Sequence, residues 1–255
     1  MKKSTFDDFF EIILADTQEA RNKHYNIRYQ VYCEELNYED PTQFPDKLEY
    51  DEWDPKDDLD QCSVPFLIRL KHSKQWIGAM RIVHYNGYSL PLEDTCSLEQ
   101  KTNTHSIEIS RLCLIKEIRK PHTQNSYGIN ETDKTYCSPS FDQNNSQVKQ
   151  FYSSPEAKVS IIWGLLNAAY QYSDFNNIKN WYLLSSKALA RIIKRQGFNI
   201  EKVGPNCQHR GQRSPYCIAL SDIRNNPIWE NFNKKYQLYS ELPEQTRNSF
   251  TAIYK

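Results

Sequence analysis

Apolar residues recur at helical spacing in two segments near the start of the chain. The first segment, 5–14, has three phenylalanines and two aliphatic residues at that spacing and predicts a helix. In the second, Thr17 is the expected N-cap and the apolar period continues to about Leu36, which predicts a longer helix. Two amphipathic helices are therefore expected before any strand.

Continuous or alternating apolar runs predict strands farther along the chain. The expected strands are 64–71, 76–84, 106–116, 181–184, 200–203 and 216–220. The first two form a β-hairpin, because four polar residues separate them. Further helices are expected to begin at Pro155 and, after a Ser186 N-cap, at Lys187, and the second one ends before Gly197. This alternation predicts an α/β fold with a central mixed, twisted sheet flanked by helices.

One internal segment of the chain differs in composition from the rest. Residues 119–154 are rich in Asn, Gln, Ser, Thr and Pro and poor in apolar residues, which predicts a mobile insertion rather than a second domain. Residues 1–225 are expected to form one domain that contains this insertion. Residues 226–255 are expected to form a short helix and a tail packed on that domain.

Overall charge and cysteine usage exclude several classes of protein. Thirty-two basic residues balance thirty-two acidic ones, so nothing global attracts nucleic acid or an anionic membrane. Acidic residues interrupt any apolar signal segment near the start and no apolar run is long enough for a membrane span, so a cytoplasmic location is expected. Seven scattered cysteines without a Cys-x-x-Cys pair predict reduced thiols, with neither a disulfide framework nor a zinc site.

Charged residues follow one order between positions 28 and 111, alternating with the expected strands. The series consists of Arg28, Glu49, Asp51, Asp54, Arg81, Glu108 and Arg111. Its middle part belongs to an acidic loop, 46–60, that holds eight carboxylates and two lysines. Spaced charges between apolar strands predict one buried site, although an ionic network that only ties the second helix and the loop to the sheet would give the same pattern.

This series resembles the signature of the acyl-homoserine-lactone synthases, and the order of helices and strands resembles GNAT-type acyltransferases. A stronger resemblance is to the bacterial acyltransferases of the exosortase (PEP-CTERM) system, also described as N-acyl amino acid synthases. It rests on the segments 28–35, 49–54, 108–112 and 204–216. The resemblance spans about residues 20–220 without the insertion and implies a GNAT-like fold that needs no bound cofactor or metal.

The implied activity is N-acyl transfer from an acyl-carrier-protein or CoA thioester to the amine of an amino acid or similar small amine. Two departures count against a lactone synthase that uses S-adenosylmethionine: Arg81 is not followed by Pro-Thr, and the chain is longer. The GNAT phosphate loop is also missing after the strand 106–116, which favours a carrier protein over CoA. Lactone synthesis and a catalytically silent acyl-binding module stay open as alternatives.

The resemblance and the chemistry together assign roles to the charged series. Glu49 is the expected general base, because an α-amino group with a pKa of about 7.7 to 8.0 must lose a proton before it attacks. Asp51 and Asp54 are expected to attract the amine, and Arg28, Arg81 or Arg111 to bind its carboxylate. Glu108 and Arg111 lie three apart on one strand, so either a bulge lies between them or they serve different partners.

A second, basic region is the candidate docking surface for an acidic carrier protein. It comprises Lys187, Arg191, Lys194, Arg195, Arg210 and Arg213. A solvated helix face explains the same charges. Cys33 and Cys113 are weaker candidates for a covalent acyl-enzyme, because no histidine lies near them in sequence.

Overall fold

The computed structural model describes residues 5–55, 62–119 and 155–247. The described helices are α1 (Phe6–Phe9), α2 (Gln18–Tyr29), α3 (Pro91–Thr95), α4 (Lys116–Arg119), α5 (Pro155–Phe175), α6 (Lys187–Arg195), α7 (Leu220–Ile223) and α8 (Glu244–Arg247). The described strands are β1 (Phe10–Leu14), β2 (Ser63–Leu70), β3 (Trp76–His84), β4 (Ser106–Leu114), β5 (Asn180–Ser185), β6 (Ile200–Lys202), β7 (Cys207–Gln208), β8 (Gln212–Ala219) and β9 (Gln237–Leu238). The expected insertion 119–154 and the end of the acidic loop, 56–60, lie outside the described residues, apart from Arg119.

The strands form one mixed sheet in the order β6-β8-β5-β4-β3-β2-β1-β9, and β7 pairs with β8 beside it. Only the β4–β5 and β1–β9 pairs are parallel among the strands of the described residues. Helices cover both faces, and the core between them includes the fully buried Trp181, whose indole N–H donates to Ser173 Oγ at 2.9 Å. The expected α/β architecture with a central mixed sheet is confirmed.

The expected helix over residues 5–14 is wrong beyond its first turn. Phe6–Phe9 is helical, but Phe10–Leu14 is a strand that pairs antiparallel with β2 and parallel with β9. Phe10 and Ile13 are buried in the sheet core. A short apolar run fits a helix and a buried strand equally well. Here the backbone of Phe10–Leu14 pairs with β2, which satisfies its hydrogen-bonding groups as a strand.

The second expected helix is confirmed, with a change of geometry near its end. The Thr17 side chain accepts a hydrogen bond from the Ala20 N–H and caps α2. From Gln30 to Glu35 the helix continues with π geometry, in which the Leu36 N–H donates to the Val31 carbonyl. Such π segments are common at functional sites, and in this one Tyr32 is buried and lies under the Arg210 guanidinium.

The prediction that all cysteines are free thiols is wrong for two of them. Cys96 and Cys207 form a disulfide with Cα atoms 5.7 Å apart, although 111 residues separate them in sequence. Cys33, Cys113 and Cys217 are free thiols. None of the helices in the described part of the chain combines the length and apolarity needed to span a membrane.

Candidate active site

The acidic loop is bound to α2 and closed by its own side chains. The Glu49 N–H donates to the Tyr25 carbonyl at 3.2 Å. Asp54 accepts from the Asp51 N–H at 2.9 Å, and Asp51 accepts from the Trp53 N–H at 3.0 Å. Aspartates that accept from nearby backbone N–H groups favour tight turns. The loop therefore presents three carboxylates toward the sheet in a fixed arrangement.

Arg28 extends from the last turn of α2 into this loop and is completely buried. Its Nε donates to Glu49, and its Nη1 contacts both carboxylate oxygens of Asp54 at 2.8 and 2.9 Å. Burial alone would lower the pKa of Arg28, but the surrounding carboxylates raise it well above its ordinary value. A buried guanidinium with such partners stays charged, and it fixes the geometry of the loop.

Arg81, on β3, joins the same carboxylates to the sheet. Its Nη1 lies 2.5 Å from Asp51 and 2.9 Å from Asp54, and its Nε donates to Ser110 Oγ on β4 at 3.3 Å. Burial would raise the pKa values of Asp51 and Asp54, but the guanidinium groups of Arg81 and Arg28 outweigh it and hold both pKa values below the ordinary range. Both aspartates are therefore ionised.

A bulge in β4 brings Arg111 to this side of the sheet. The β3–β4 register shifts between Ala79 and Arg81, which face Cys113 and Ser110, so β4 carries one extra residue there. Arg111 itself has φ +51°, a left-handed conformation that is rare outside glycine and marks a bulge. Its Nη2 donates to Asp51 at 2.5 Å, and its Nε–H lacks a hydrogen-bond partner among the described residues. Of the two alternatives for the spacing of Glu108 and Arg111, the bulge is present.

Glu108 lies on β4 beside this network but is not hydrogen-bonded to its arginines. Its side chain is buried, and Oε2 accepts from the Leu92 N–H in α3 at 2.6 Å. Burial raises the pKa of Glu108 to about 7, and this backbone N–H, Arg81 and Arg111 offset burial only in part. Glu108 can therefore gain or lose a proton near neutral pH.

Arg210 is a member of the site that the sequence placed elsewhere. It was expected on the docking surface, but its guanidinium lies over the Tyr32 ring at 4.5 Å and its Nε donates to Glu39 at 2.7 Å. It also lies 3.7 Å from Glu49. The signal in the sequence is Gly211, with φ +92°, which allows a tight hairpin that turns the Arg210 side chain inward.

The other expected docking residues are arranged differently. Lys187, Arg191, Lys194 and Arg195 are exposed on α6. Arg213 is half-buried on β8, where its Nη1 donates to the Gln212 carbonyl at 3.2 Å. The structure therefore groups four of the six predicted residues on one helix.

The β4 and β5 strands part directly after Glu108. Within the described residues they pair only over Ser106–Glu108 and Asn180–Tyr182, although both strands continue. Tyr182 packs with Leu90 and Leu92 in a small apolar cluster separate from the main core. Glu108 therefore lies between the charged network and an apolar region. Beyond Glu108, the backbones of β4 and β5 no longer pair with each other.

An open pocket lies beside the acidic loop. It has a volume of about 490 Å³, and its wall includes Tyr25, Tyr50, Asp51 and Asp54. No group of three or more potential ligands among the described residues is arranged to hold a metal ion.

The two cysteines considered for covalent catalysis are poor nucleophiles. Burial raises the pKa of Cys33 to about 11 and that of Cys113 to about 12. Since the thiolate is the reactive form, neither side chain is activated at neutral pH.

Comparisons with known proteins give a family match and similar folds. The model of the family described as "Acetyltransferase (GNAT) domain" matches residues 27–127, which is less than half of the chain but includes the end of α2, the acidic loop and β2 to β4. A CoA-dependent acyl-homoserine lactone synthase, BjaI, solved with SAM and isopentyl-CoA, aligns with a TM-score of 0.54 at 10% identity, over 94% of this chain and 98% of that one. The chain has a GNAT-type fold.

Two further solved structures share this fold. FeeM, an N-acyl amino acid synthase from uncultured soil microbes, aligns with a TM-score of 0.53 at 10% identity, over 88% of this chain and 98% of that one. TofI, solved in a ternary complex with an inhibitor and MTA, aligns with a TM-score of 0.53 at 14% identity, over 84% of this chain and 95% of that one. No curated protein matches the sequence significantly. The family match and the fold together support an acyltransferase.

Proposed function

We propose that the chain is an N-acyltransferase that moves a fatty acyl group from a carrier-protein or CoA thioester to the amine of an amino acid or similar small amine. The observation that carries this proposal is Glu108, a buried carboxyl with a pKa of about 7 where β4 and β5 part. A proton acceptor works best when its pKa lies near the operating pH. The GNAT-type fold adds support for acyl transfer as the reaction.

Glu108 is better suited than Glu49 to accept the proton of the amine. Glu49 binds Arg28 through one oxygen, and its other oxygen lies 3.7 Å from both Arg111 and Arg210. The two oxygens of Glu49 thus face three guanidinium groups, an arrangement that suits a role in positioning those arginines. We therefore assign proton transfer to Glu108 and keep Glu49, the base expected from the sequence, as the comparison in the test.

Arg111 is the arginine best placed to bind a carboxylate of the acceptor. Its side chain is partly exposed, and its buried Nε–H, 3.7 Å from Glu49, makes no hydrogen bond within the described part of the chain. Arg28 and Arg81, by contrast, are buried with their carboxylate partners. The pocket beside Asp51 and Asp54 adds a tyrosine- and acid-lined entrance that suits a cationic amine.

The thioester is proposed to bind in the gap between β4 and β5. Beyond Glu108, backbone N–H groups of β4 that face β5 have no strand partner there. Such groups are suited to stabilise the oxyanion that forms when the amine attacks the thioester carbonyl. The apolar cluster around Tyr182 and Leu92 lies next to this gap and supports the binding of an acyl chain.

The donor is proposed to be an acyl-carrier protein that docks on α6. Lys187, Arg191, Lys194 and Arg195 are exposed there, and among the described residues no acidic side chain forms an ion pair with them. A cationic helix attracts an acidic partner and makes association sensitive to salt. An acyl-CoA donor remains the comparison, because the BjaI structure was solved with isopentyl-CoA.

The test is product identification with purified protein. Acyl-carrier protein or acyl-CoA is supplied with a panel of amino acids and small amines, or with S-adenosylmethionine, and the products are identified by mass spectrometry. An N-acyl amino acid supports the proposal, whereas a homoserine lactone product identifies a lactone synthase. Absence of acyl transfer with every donor and acceptor would identify a silent acyl-binding module.

Matched variants assign the proton acceptor. Glu108→Gln is expected to lower kcat by about 10² to 10⁴, the usual contribution of a general base. Glu49→Gln removes a carboxylate of the same size from the other position. If Glu49→Gln abolishes turnover while Glu108→Gln retains it, the base is Glu49 and our assignment is wrong.

A further inference from the structure

The hairpin of β7 and β8 carries Arg210 across the molecule to the candidate site. The residues that Arg210 contacts, Tyr32, Glu39 and Glu49, all precede β2 in the chain. Arg210 therefore covers the junction between the π-helical segment and the acidic loop. Because one guanidinium binds two carboxylates and a ring there, its position affects how Glu49 is held.

The base of this hairpin is covalently joined to α3. Cys207, the first residue of β7, is bonded to Cys96, the residue that ends α3. The same short helix supplies the Leu92 N–H that hydrogen-bonds Glu108. The disulfide thus connects the element that holds Glu108 with the element that carries Arg210.

The residues that follow α3 also contact the residues that precede the hairpin. The Glu99 N–H donates to the Val203 carbonyl at 2.9 Å. Gly204 lies so close to Ser97 that an added Cβ would be 2.2 Å from the Ser97 carbonyl oxygen. The disulfide joins the hairpin to the end of α3 at Cys207, three residues before Arg210.

We propose that Arg210 is a positioning residue of the site and that the Cys96–Cys207 disulfide controls its position. The consequence for catalysis rests on the proposed acyltransferase function, whereas the structural link does not. Reduction by a dithiol transfers two electrons to the disulfide: the S–S bond breaks, Cys96 and Cys207 become thiols, and the dithiol closes to a cyclic disulfide. Arg210 then loses its covalent link to α3 and is held by the β7–β8 pairing and by its contacts with Tyr32 and Glu39, so the cover over Tyr32 and Glu49 loosens.

Hydrogen–deuterium exchange on the full chain tests the structural link. Peptides from 30–39 and 207–213 are followed before and after treatment with dithiothreitol. Reduction is expected to raise exchange in both segments, while Arg210→Ala in the oxidised protein raises exchange in 30–39. Cys96→Ser/Cys207→Ser is expected to behave as reduced protein under both conditions, and chemical reduction of the unaltered chain gives the same answer if that variant folds poorly.

Two variants serve as controls for this experiment. Gln212→Ala removes an exposed side chain from the same hairpin, and Cys62→Ser replaces a cysteine outside the hairpin. Both are expected to keep the response to reduction. The proposal is overturned if no Cys96–Cys207 disulfide is found in oxidised protein, if exchange in 30–39 is unchanged by reduction, or if the double serine variant still responds.

Acyl-transfer rates then test the consequence for catalysis. In oxidised protein Arg210→Ala is expected to lower kcat/KM about tenfold, as the loss of a charge-assisted contact implies, and Arg210→Lys to restore part of the rate. Reduction is expected to slow the unaltered enzyme by a similar factor and the Arg210→Ala variant hardly at all. Equal slowing of both would show that Arg210 does not transmit the redox state. If the proposed function is wrong, no turnover will be seen. The exchange experiment would still show whether the disulfide controls the position of Arg210.

Discussion

Replacing Glu108 by glutamine should change how the stability of the protein depends on pH. Glutamine has the size of the protonated acid and stays neutral at every pH. The buried Glu108 carboxyl has a pKa of about 7 in the folded chain against 4.5 for the group in water. Folding therefore favours the neutral form of this side chain, which glutamine imitates.

The size and sign of the effect follow from the two pKa values. The raised value means that the folded state binds the proton more tightly than the unfolded state does. Stability from this group is thus complete below pH 4.5 and is lost as the pH rises through about 7. Since one pKa unit corresponds to about 1.36 kcal/mol, the loss is about 3 kcal/mol.

Urea unfolding of both proteins across this pH range measures the effect. The difference in unfolding free energy between the unaltered chain and Glu108→Gln isolates this carboxyl, because other titrating groups are common to both. His24 is one such group: burial lowers its pKa to about 3. Glu99→Gln is the control, since Glu99 is exposed and its replacement should change stability by no more than about 0.5 kcal/mol at any pH.

The expected result is that Glu108→Gln gains about 3 kcal/mol relative to the unaltered chain between pH 4.5 and values above 7. A difference that stays constant across this range would refute the reasoning. It would mean that the Leu92 N–H and the nearby arginines compensate burial completely. Glu108 would then be ionised at neutral pH, and the case for it over Glu49 would fail.

Three further outcomes follow from the same structure. Asp54→Asn removes a buried carboxylate that Arg28 and Arg81 share and should lower the unfolding free energy by about 3 to 5 kcal/mol, although Glu49 and Asp51 still pair with these arginines. Urea unfolding measures this loss, with the exposed Asp94→Asn as the control. Gly204→Ala should cost about 1 to 3 kcal/mol, because the new Cβ meets a backbone oxygen that cannot rotate away; an unchanged melting temperature would contradict this contact. Cys33 and Cys113 should react slowly with iodoacetamide at neutral pH, and Cys113→Ser should keep acyl transfer; a rapid reaction at either thiol that abolishes turnover would revive a covalent mechanism.

The sequence predicts the parts of the fold that have strong local signals. The hairpin of β2 and β3, the Ser186 cap and the end of α6 before Gly197 are confirmed because apolar period, capping oxygen and glycine agree there. The prediction at Phe10–Leu14 is wrong because no such combination of local signals is present there. Five residues are too few to separate the two periods, and the partner strands β2 and β9 lie far away in sequence.

Only part of the candidate site can be predicted from the sequence. The order of the charged series predicts that its members meet, and the spacing of Glu108 and Arg111 allows for the bulge that β4 contains. The disulfide and the inward turn of Arg210 depend on contacts between residues more than a hundred positions apart. Residues that meet only in the folded chain have no regular spacing in the sequence, so the sequence predicts neither the disulfide partner of Cys96 nor the carboxylate partners of Arg210.

The charges of the network explain why the residues that hold the site in place differ from Glu108, the residue proposed to accept the proton. Arg28, Arg81, Arg111 and Arg210 face Glu39, Glu49, Asp51 and Asp54, so four cations meet four anions. Ionised Glu108 adds a fifth negative charge without a hydrogen-bonded cation, and burial makes that charge costly. Under the proposed function, the ammonium of the acceptor supplies the missing positive charge. Its arrival stabilises the ionised carboxylate, the proton then passes to Glu108, and the neutral amine is left facing the thioester.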